Sequence, residues 1–193
     1  EKGYVVQIDA RALFDKQIVD SRGVYFVSDD RKSELWNVRI TVRDAATRAI
    51  GRSVSELGAR DGDSMSVQID AGEGQGKLIR PTIGGEGYIS QVESWLLPQV
   101  LVGSRIATTY AFYAYQSDPE TISLRQDVLE QLPGESGLWR LTSTLGDKSR
   151  SQISTYESDG TLIKTQMPDG SVWEPTTSDN LMRLWRDKEL PTD

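Results

Sequence analysis

The stretch Glu34-Leu35-Trp36-Asn37-Val38-Arg39-Ile40-Thr41-Val42-Arg43 alternates without a break. Trp36, Val38, Ile40 and Val42 fall on one side and Asn37, Arg39, Thr41 and Arg43 on the other, the pattern of a strand with one dry face and one wet face. Its reading decides the fold class, because a helix would scatter these side chains around its axis. Outward from it, Ser64 to Asp70 repeats the pattern with Met65, Val67 and Ile69, and Lys77 to Ile83 is a further apolar run. Pro81 confines that run to a sheet edge or a strand end, since proline cannot donate to a ladder. Residues 44 to 60 fit a helix or a polar hairpin loop equally well.

From residue 105 onward the chain reads as an antiparallel meander of at least five strands. Arg105 to Gln116 sets Ile106, Tyr110 and Phe112 on one face and Tyr113 and Tyr115 on the other. Glu120 to Leu132 follows, with Ile122, Leu124 and Val128 in phase, and Pro133-Gly134 turns the chain into Leu138 to Leu145. There Trp139, Leu141 and Leu145 alternate with Arg140, Thr142 and Thr144. A Gly146-Asp147 turn leads to Ser149 to Glu157. Asp159-Gly160 and Asp169-Gly170 predict two tight hairpins flanking Thr161 to Met167, with Ser171 to Glu174 after them. Their ten-residue spacing is one strand plus one turn, so it marks a meander and not a functional repeat.

Helical spacing is rarer. Leu13, Phe14, Ile18 and Val19 predict a helix over Asp9 to Val19, with Asp9 as N-cap. Val92, Trp95, Leu96 and Val100 predict one over Ser90 to Val102, which Pro98 would kink or end. Leu181, Met182, Leu184 and Trp185 after Ser178 predict a short amphipathic helix docked on the sheet. The expected architecture is therefore α+β and mainly β: a large curved antiparallel meander sheet, open or partly rolled, with two or three short helices packed on it. A single domain over 1–193 is expected, with a mixed half at 1–104, the meander at 105–175 and the C-terminal helix at 177–187.

Composition removes much chemistry. The 193 residues contain neither His nor Cys, which excludes a Ser-His-Asp triad, a cysteine nucleophile, a thiolate or imidazole metal site and any disulfide. With 29 Asp+Glu against 22 Lys+Arg the net charge is −7. No basic stripe exists for a phosphate backbone, so nucleic acid is not an expected partner. The longest apolar stretch, Trp95 to Val102, is interrupted by Pro98 and Gln99 and is too short for a transmembrane segment. The chain begins Glu-Lys without Met, and its lack of cysteine suits an oxidising compartment. Both favour a mature exported form, in the periplasm or secreted, over a cytoplasmic one.

Three motifs invite a chemical reading and fail it. Gly72 to Lys77 (GEGQGK) ends like a phosphate loop, but three residues separate its outer glycines, Leu78 follows the lysine, and the next segment alternates as a strand where a helix is required. Asp61-Gly62-Asp63-Ser64 has the composition of a calcium loop, yet Met65 stands at the third oxygen position and no glycine follows at the sixth. No Gly-x-Ser-x-Gly or Ser-x-x-Lys is present for a serine nucleophile. No cofactor and no metal are expected, and the chain is not expected to be an enzyme. A carboxylate-dependent hydrolase stays open as an alternative, because the 29 acids could supply a converging pair that the sequence does not single out.

The aromatic residues say most. Trp36, Trp95, Trp139, Trp173 and Trp185 are spread over strands and helices, while Tyr110, Phe112, Tyr113 and Tyr115 crowd one strand. Aromatics on both faces of a strand imply that both faces are at least partly covered. In order, the helix containing Trp95, the hairpins from Arg105 to Glu174 and the two Asp-Gly turns resemble the single-sheet half-barrel proteins of bacterial envelopes, similar to the lipoprotein localisation carriers. That resemblance implies an acyl chain or a lipidated partner held in a sheet concavity, and so noncatalytic binding of an apolar ligand. The richness of the strands in Thr, Ser and Arg departs from a committed lipid carrier. Trp95, Tyr110, Phe112 and Trp139 are the expected ligand-binding residues, since they combine size with placement on the meander or its covering helix. The alternative to a binding module is a structural accessory domain that contacts other envelope proteins through a sheet edge or an aromatic patch.

Overall fold

The computed structural model describes residues 2–14, 16–72, 76–84, 86–134, 137–146 and 151–189. Its strands are β1 (Gly3–Phe14), β2 (Gln17–Ser28), β3 (Ser33–Asp44), β4 (Ile50–Asp61), β5 (Ser64–Asp70), β6 (Lys77–Ile79), β7 (Thr109–Gln116), β8 (Thr121–Gln131), β9 (Leu138–Leu145), β10 (Gln152–Glu157), β11 (Leu162–Gln166) and β12 (Val172–Trp173). Two helices, α1 (Gln91–Ser104) and α2 (Ser178–Asp187), accompany them. The expected α+β, mainly β class holds, and the antiparallel strands are arranged as two open six-stranded sheets. One runs β1-β2-β3-β4-β5-β6 and the other β12-β11-β10-β9-β8-β7, so every neighbour in space is a neighbour in sequence. The chain forms two compact units, residues Glu1–Leu97 with Phe112–Leu124, and Pro98–Ala111 with Arg125–Asp193. No helix among the described residues is long and apolar enough to cross a membrane.

In the first unit the registers Tyr25↔Trp36, Trp36↔Gly58 and Gly58↔Val67 stack one residue from each of four strands in a single row on the same face. Two steps along, the next row is Gly23, Val38, Glu56 and Ile69. Alternation thus delivers one continuous inner face, as the reading of Glu34 to Arg43 requires. Its core consists of Tyr25, Val27, Trp36, Met65 and Val67, capped by Val92 of α1 and Tyr115 of β7. Such a cap is necessary because a sheet face this apolar gains roughly 25 cal/mol for each Å² removed from water. The opposite face carries Asp9, Arg11, Asp20, Arg22, Arg39 and Arg43, partly joined in ion pairs such as Arg11–Asp20 at 2.5 Å.

The helix predicted over Asp9 to Val19 is a hairpin. β1 and β2 pair from Gly3↔Ser28 to Phe14↔Gln17. Asp9 caps nothing and instead accepts from Arg22 across the strands. Four apolar residues at helical spacing are outweighed by a ladder in which β2 is paired over nearly its whole length on both sides, an instance of tertiary pairing overriding local propensity. Residues 44 to 60 resolve as a turn followed by β4. β6 is the edge expected from Pro81, and it ends at Ile79. α1 begins with a capping box: Ser90 Oγ accepts the Glu93 N–H at 3.1 Å while Glu93 Oε2 accepts the Ser90 N–H at 2.8 Å. The helix runs through Pro98 without ending there.

In the second unit the buried side chains are Leu101, Val102, Asp127, Leu129, Trp139, Leu141, Ser154, Tyr156 and Thr165. The phase predicted for β8 slips in its second half. Asp127 and Leu129 point inward there, while Leu124 is 41% exposed. Asp127 draws Arg125 beside it, with the guanidinium 2.9 Å away, so that a charge with no exposed surface is paired. At both Asp-Gly turns only the glycine has positive φ, 89° at Gly160 and 86° at Gly170. The Gly160 N–H bonds Glu157 O while the Glu157 N–H bonds Thr161 O, which is the three-residue loop of a type I turn closed by a left-handed glycine. Each aspartate accepts a backbone N–H two residues on, from Thr161 or Ser171. The Gly146-Asp147 turn falls partly outside the described residues, as do Ser149 and position 150 of the strand expected there. α2 forms as expected with Thr177 as N-cap, but it has no buried residue. Leu181 and Leu184 are 48% and 52% exposed, while Met182 and Trp185 on the same helix are half-buried.

Candidate functional site: an open pocket on the first sheet

The strands β1 to β4 are each 12 residues long, about 40 Å. The part of α1 in the same unit, Gln91–Leu97, is only about 10 Å long. Its Val92 caps the core at Trp36, and in the rows beyond Trp36 the residues Val38, Val54 and Ile69 are half-buried and Ile40 is exposed. A pocket of about 510 Å³ lies there, floored by Val38, Ile40, Val54 and Ile69. Glu56 and Ser117 stand at it with Arg52, Lys77, Asp118 and Glu120. The volume lies within the usual range for small-molecule sites, and an apolar floor with a few polar groups is their usual make-up.

Glu56 is 7% exposed. Its Oε1 accepts the Trp36 indole N–H at 2.7 Å and the Ser117 hydroxyl at 3.1 Å, and its Oε2 accepts the Tyr115 hydroxyl at 3.4 Å. Gly58 makes this possible. A Cβ there would lie 2.0 Å from two indole atoms of Trp36, so only glycine lets the ring lie flat across β4 and reach Glu56. The Trp36 and Tyr115 rings, 5.4 Å apart, belong to the core and both donate to this carboxylate. Burial first, and then the neighbouring Glu56 charge, push the Tyr115 phenol well above its ordinary range. Tyr115 therefore remains a neutral donor. At the rim, Lys77 is ion-paired with Glu120, which holds a left-handed φ of 63°.

The other buried acid, Glu34, serves to fasten elements together. It is 1% exposed, accepts from the Tyr88 hydroxyl, pairs with Arg60 at 3.1 Å and accepts the N–H of Gln91 in the first turn of α1 at 2.9 Å. Arg60 lies over the Tyr88 ring, 5.0 Å from its centre, and also donates to Gly62 O. Burial raises the Glu34 pKa against the lowering effect of these partners, and burial together with Glu34 raises that of Tyr88. Glu34 and Glu56 are four residue steps apart along paired strands, about 13 Å, with Trp36 between them. No cluster of acids able to hold a metal occurs among the described residues.

The four aromatics expected to bind ligand fall in both units, Trp95 and Phe112 in the first and Tyr110 and Trp139 in the second. Trp95 is 50% exposed with its ring 6.2 Å from that of Tyr25, and Trp139 is buried. The Tyr110 hydroxyl donates to Ile106 O and meets Ser104 Oγ. None of the four lines the pocket beyond Trp36. Of the residues that line it, Val38, Ile40 and Ile69 were legible only as a dry face, since alternation cannot tell which part of that face a helix will cover, and Arg52, Val54 and Glu56 lay in the segment 44 to 60 that fitted a helix or a polar loop. Asp61-Gly62-Asp63-Ser64 is the two-residue turn between β4 and β5, with Gly62 at φ 56°. In Gly72 to Lys77 the central residues 73–75, like Gly85 nearby, lie outside the described residues, and Lys77 opens the edge strand β6.

No known protein family matches this sequence, and no curated protein matches it. Solved structures do. The chain is similar in fold to a beta-barrel-like protein of the domain of unknown function DUF1849 from Brucella abortus, with a TM-score of 0.55 and 13% identity over 86% of this chain and 75% of that one. At that identity the likeness extends to the fold alone, which is β-rich.

Proposed function

We propose that the protein is a noncatalytic binding module, exported to the cell envelope, that holds a small apolar molecule against the open stretch of its first sheet. The observation that carries this reading is the pocket floored by Val38, Ile40, Val54 and Ile69 on the same face as the buried core. Ile40 is 36% exposed and Val38, Val54 and Ile69 are half-buried, so a ligand covering them would gain roughly 25 cal/mol for each Å² of apolar surface removed from water. The β-rich fold is compatible with such a role, and the absence of cysteine suits an oxidising compartment. The resemblance to lipoprotein localisation carriers supports an apolar or acyl ligand on the same grounds. Mass spectrometry of the protein isolated without detergent tests the reading. A copurified apolar molecule is expected on the native protein and is expected to vanish in Val54→Trp, which fills the pocket. An empty native protein that binds no amphiphile added in solution would overturn the reading.

A second reading, an accessory domain of an envelope assembly, rests on the edge strand β1. Its 12 residues leave one ladder of backbone groups unpaired, with Tyr4 and Val5 more than 60% exposed. Long exposed edges of this kind are templates for pairing with another chain. Crosslinking from position 5 in a native membrane extract separates the readings, since an assembly domain yields a discrete protein adduct there.

A further inference from the structure

The pocket contains an unusual feature for a site meant only for hydrocarbon: a buried carboxylate with no countercharge. Glu34 has Arg60, and Asp127 has Arg125. Glu56, buried to a similar degree, is met by an indole, a phenol and an alcohol, all neutral, and no Lys or Arg pairs with it among the described residues. Lys77, which also lines the pocket, is taken by Glu120. Arg52 lines the same pocket four residues along β4, and no ion pair joins it to Glu56 among the described residues. An ionised carboxylate offers about four acceptor sites. Oε1 is satisfied by two donors at 2.7 and 3.1 Å, whereas Oε2 has a single long contact at 3.4 Å. Counting the pocket's charged residues, three acids (Glu56, Asp118, Glu120) face two bases (Arg52, Lys77), and the whole chain carries −7.

Building on the binding reading above, we infer that the pocket selects an amphiphile with a cationic, hydrogen-bond-donating head, an alkylammonium being the simplest, over fatty acids and other anionic lipids. The head donates to Glu56 Oε2 and supplies the missing countercharge. The chain lies along Val38, Ile40, Val54 and Ile69. Anionic heads are rejected because they would bring a second negative charge to an uncompensated one in a partly desolvated site, where repulsion is poorly screened. A hydroxyl head can donate one bond but brings no charge.

Titration calorimetry with octylammonium, octanol and octanoate at one pH and ionic strength tests this on the whole chain. Octylammonium is expected to bind tightest and octanoate weakest. Glu56→Gln, whose amide oxygen can still accept from Trp36, is expected to weaken octylammonium by about 10- to 100-fold, the range for a hydrogen bond to a charged group, and to leave octanol nearly unchanged. The ranking of the three probes on the unmodified protein stands even if that variant fails to fold. Octanol or octanoate binding as tightly as octylammonium, with Val54→Trp abolishing it, would overturn the head-group selectivity and leave the binding reading intact. Binding of none of the three, or binding that Val54→Trp does not reduce, would overturn both.

Discussion

Replacing Gly58 with alanine tests the arrangement on which the pocket depends. The added Cβ would lie 2.0 Å from Trp36 Cε2 and Cζ2 and 2.5 Å from Cδ2, well inside contact distance, so the indole must move by more than 1 Å. Trp36 has little room to do so. It is 2% exposed, lies against Tyr115 at 5.4 Å and donates to Glu56 at 2.7 Å. Overpacking of this kind costs about 1–3 kcal/mol. Loss of a hydrogen bond to a carboxylate adds about 1.5–3 kcal/mol where it is broken outright, and removing a strand glycine returns about 0.5–1 kcal/mol. The net expectation is a destabilisation of about 2–4 kcal/mol, read as a lower urea midpoint by tryptophan fluorescence. Gly51→Ala on the same strand is the control. Its nearest new contact is Val42 O at 3.8 Å, so it is expected to be neutral or to stabilise by about 0.5 kcal/mol. If Gly58→Ala matches Gly51→Ala to within about 0.5 kcal/mol, the claim that Trp36 requires a glycine beneath it is wrong.

Other perturbations have equally definite signs. Because burial raises the Glu34 pKa, the native state holds this proton more tightly than the unfolded chain. Its contribution to stability is therefore fully present below the unfolded value of about 4.5 and declines as pH rises through the raised one. Glu34→Gln lacks that titration, so the stability difference between variant and parent should move in the variant's favour from pH 4.5 upward in denaturation measurements, and a pH-independent difference would contradict the assignment. Gly160→Ala forces alanine to a φ of 89° and is expected to cost about 1 kcal/mol or more in thermal or urea unfolding. Gly170→Ala, at 86° with open space around its Cβ, isolates the backbone strain from any contact and should cost a similar amount. Thr177→Ala removes the side chain that accepts from Asn180 N at 3.2 Å, for about 1 kcal/mol. Since α2 has no buried residue, the loss should appear as faster amide exchange within α2 and leave the rest of the chain unchanged.

The strands around Trp36, Met65 and Trp139, the turns at Asp159 and Asp169 and the helices at 90 and 178 were legible because each depends on residues close in sequence. A two-residue period, an Asp-Gly pair or a capping serine acts within one strand or one turn. The hairpin at Asp9 to Val19 was not legible, since Leu13, Phe14, Ile18 and Val19 satisfy a helical spacing and only pairing with β3 through β2 decides otherwise. The inward turn of Asp127 was hidden likewise, because its burial requires Arg125 to fold back upon it.

The missing His and Cys and the net charge of −7 determined by themselves which chemistries the chain lacks, and alternation determined that it would build antiparallel sheets with one dry face. Which part of that face stays open was decided only in three dimensions. Covering depends on where α1 and Tyr115 land, and they land over Trp36, Met65 and Val67. Val38, Ile40 and Ile69 carry the same pattern in sequence but are left to line a pocket, with Val54 from the segment the sequence left open. Glu56 gains its meaning there too, for a glutamate between a serine and a leucine is an ordinary strand residue until an indole two residues along the paired strand leans over a glycine to meet it.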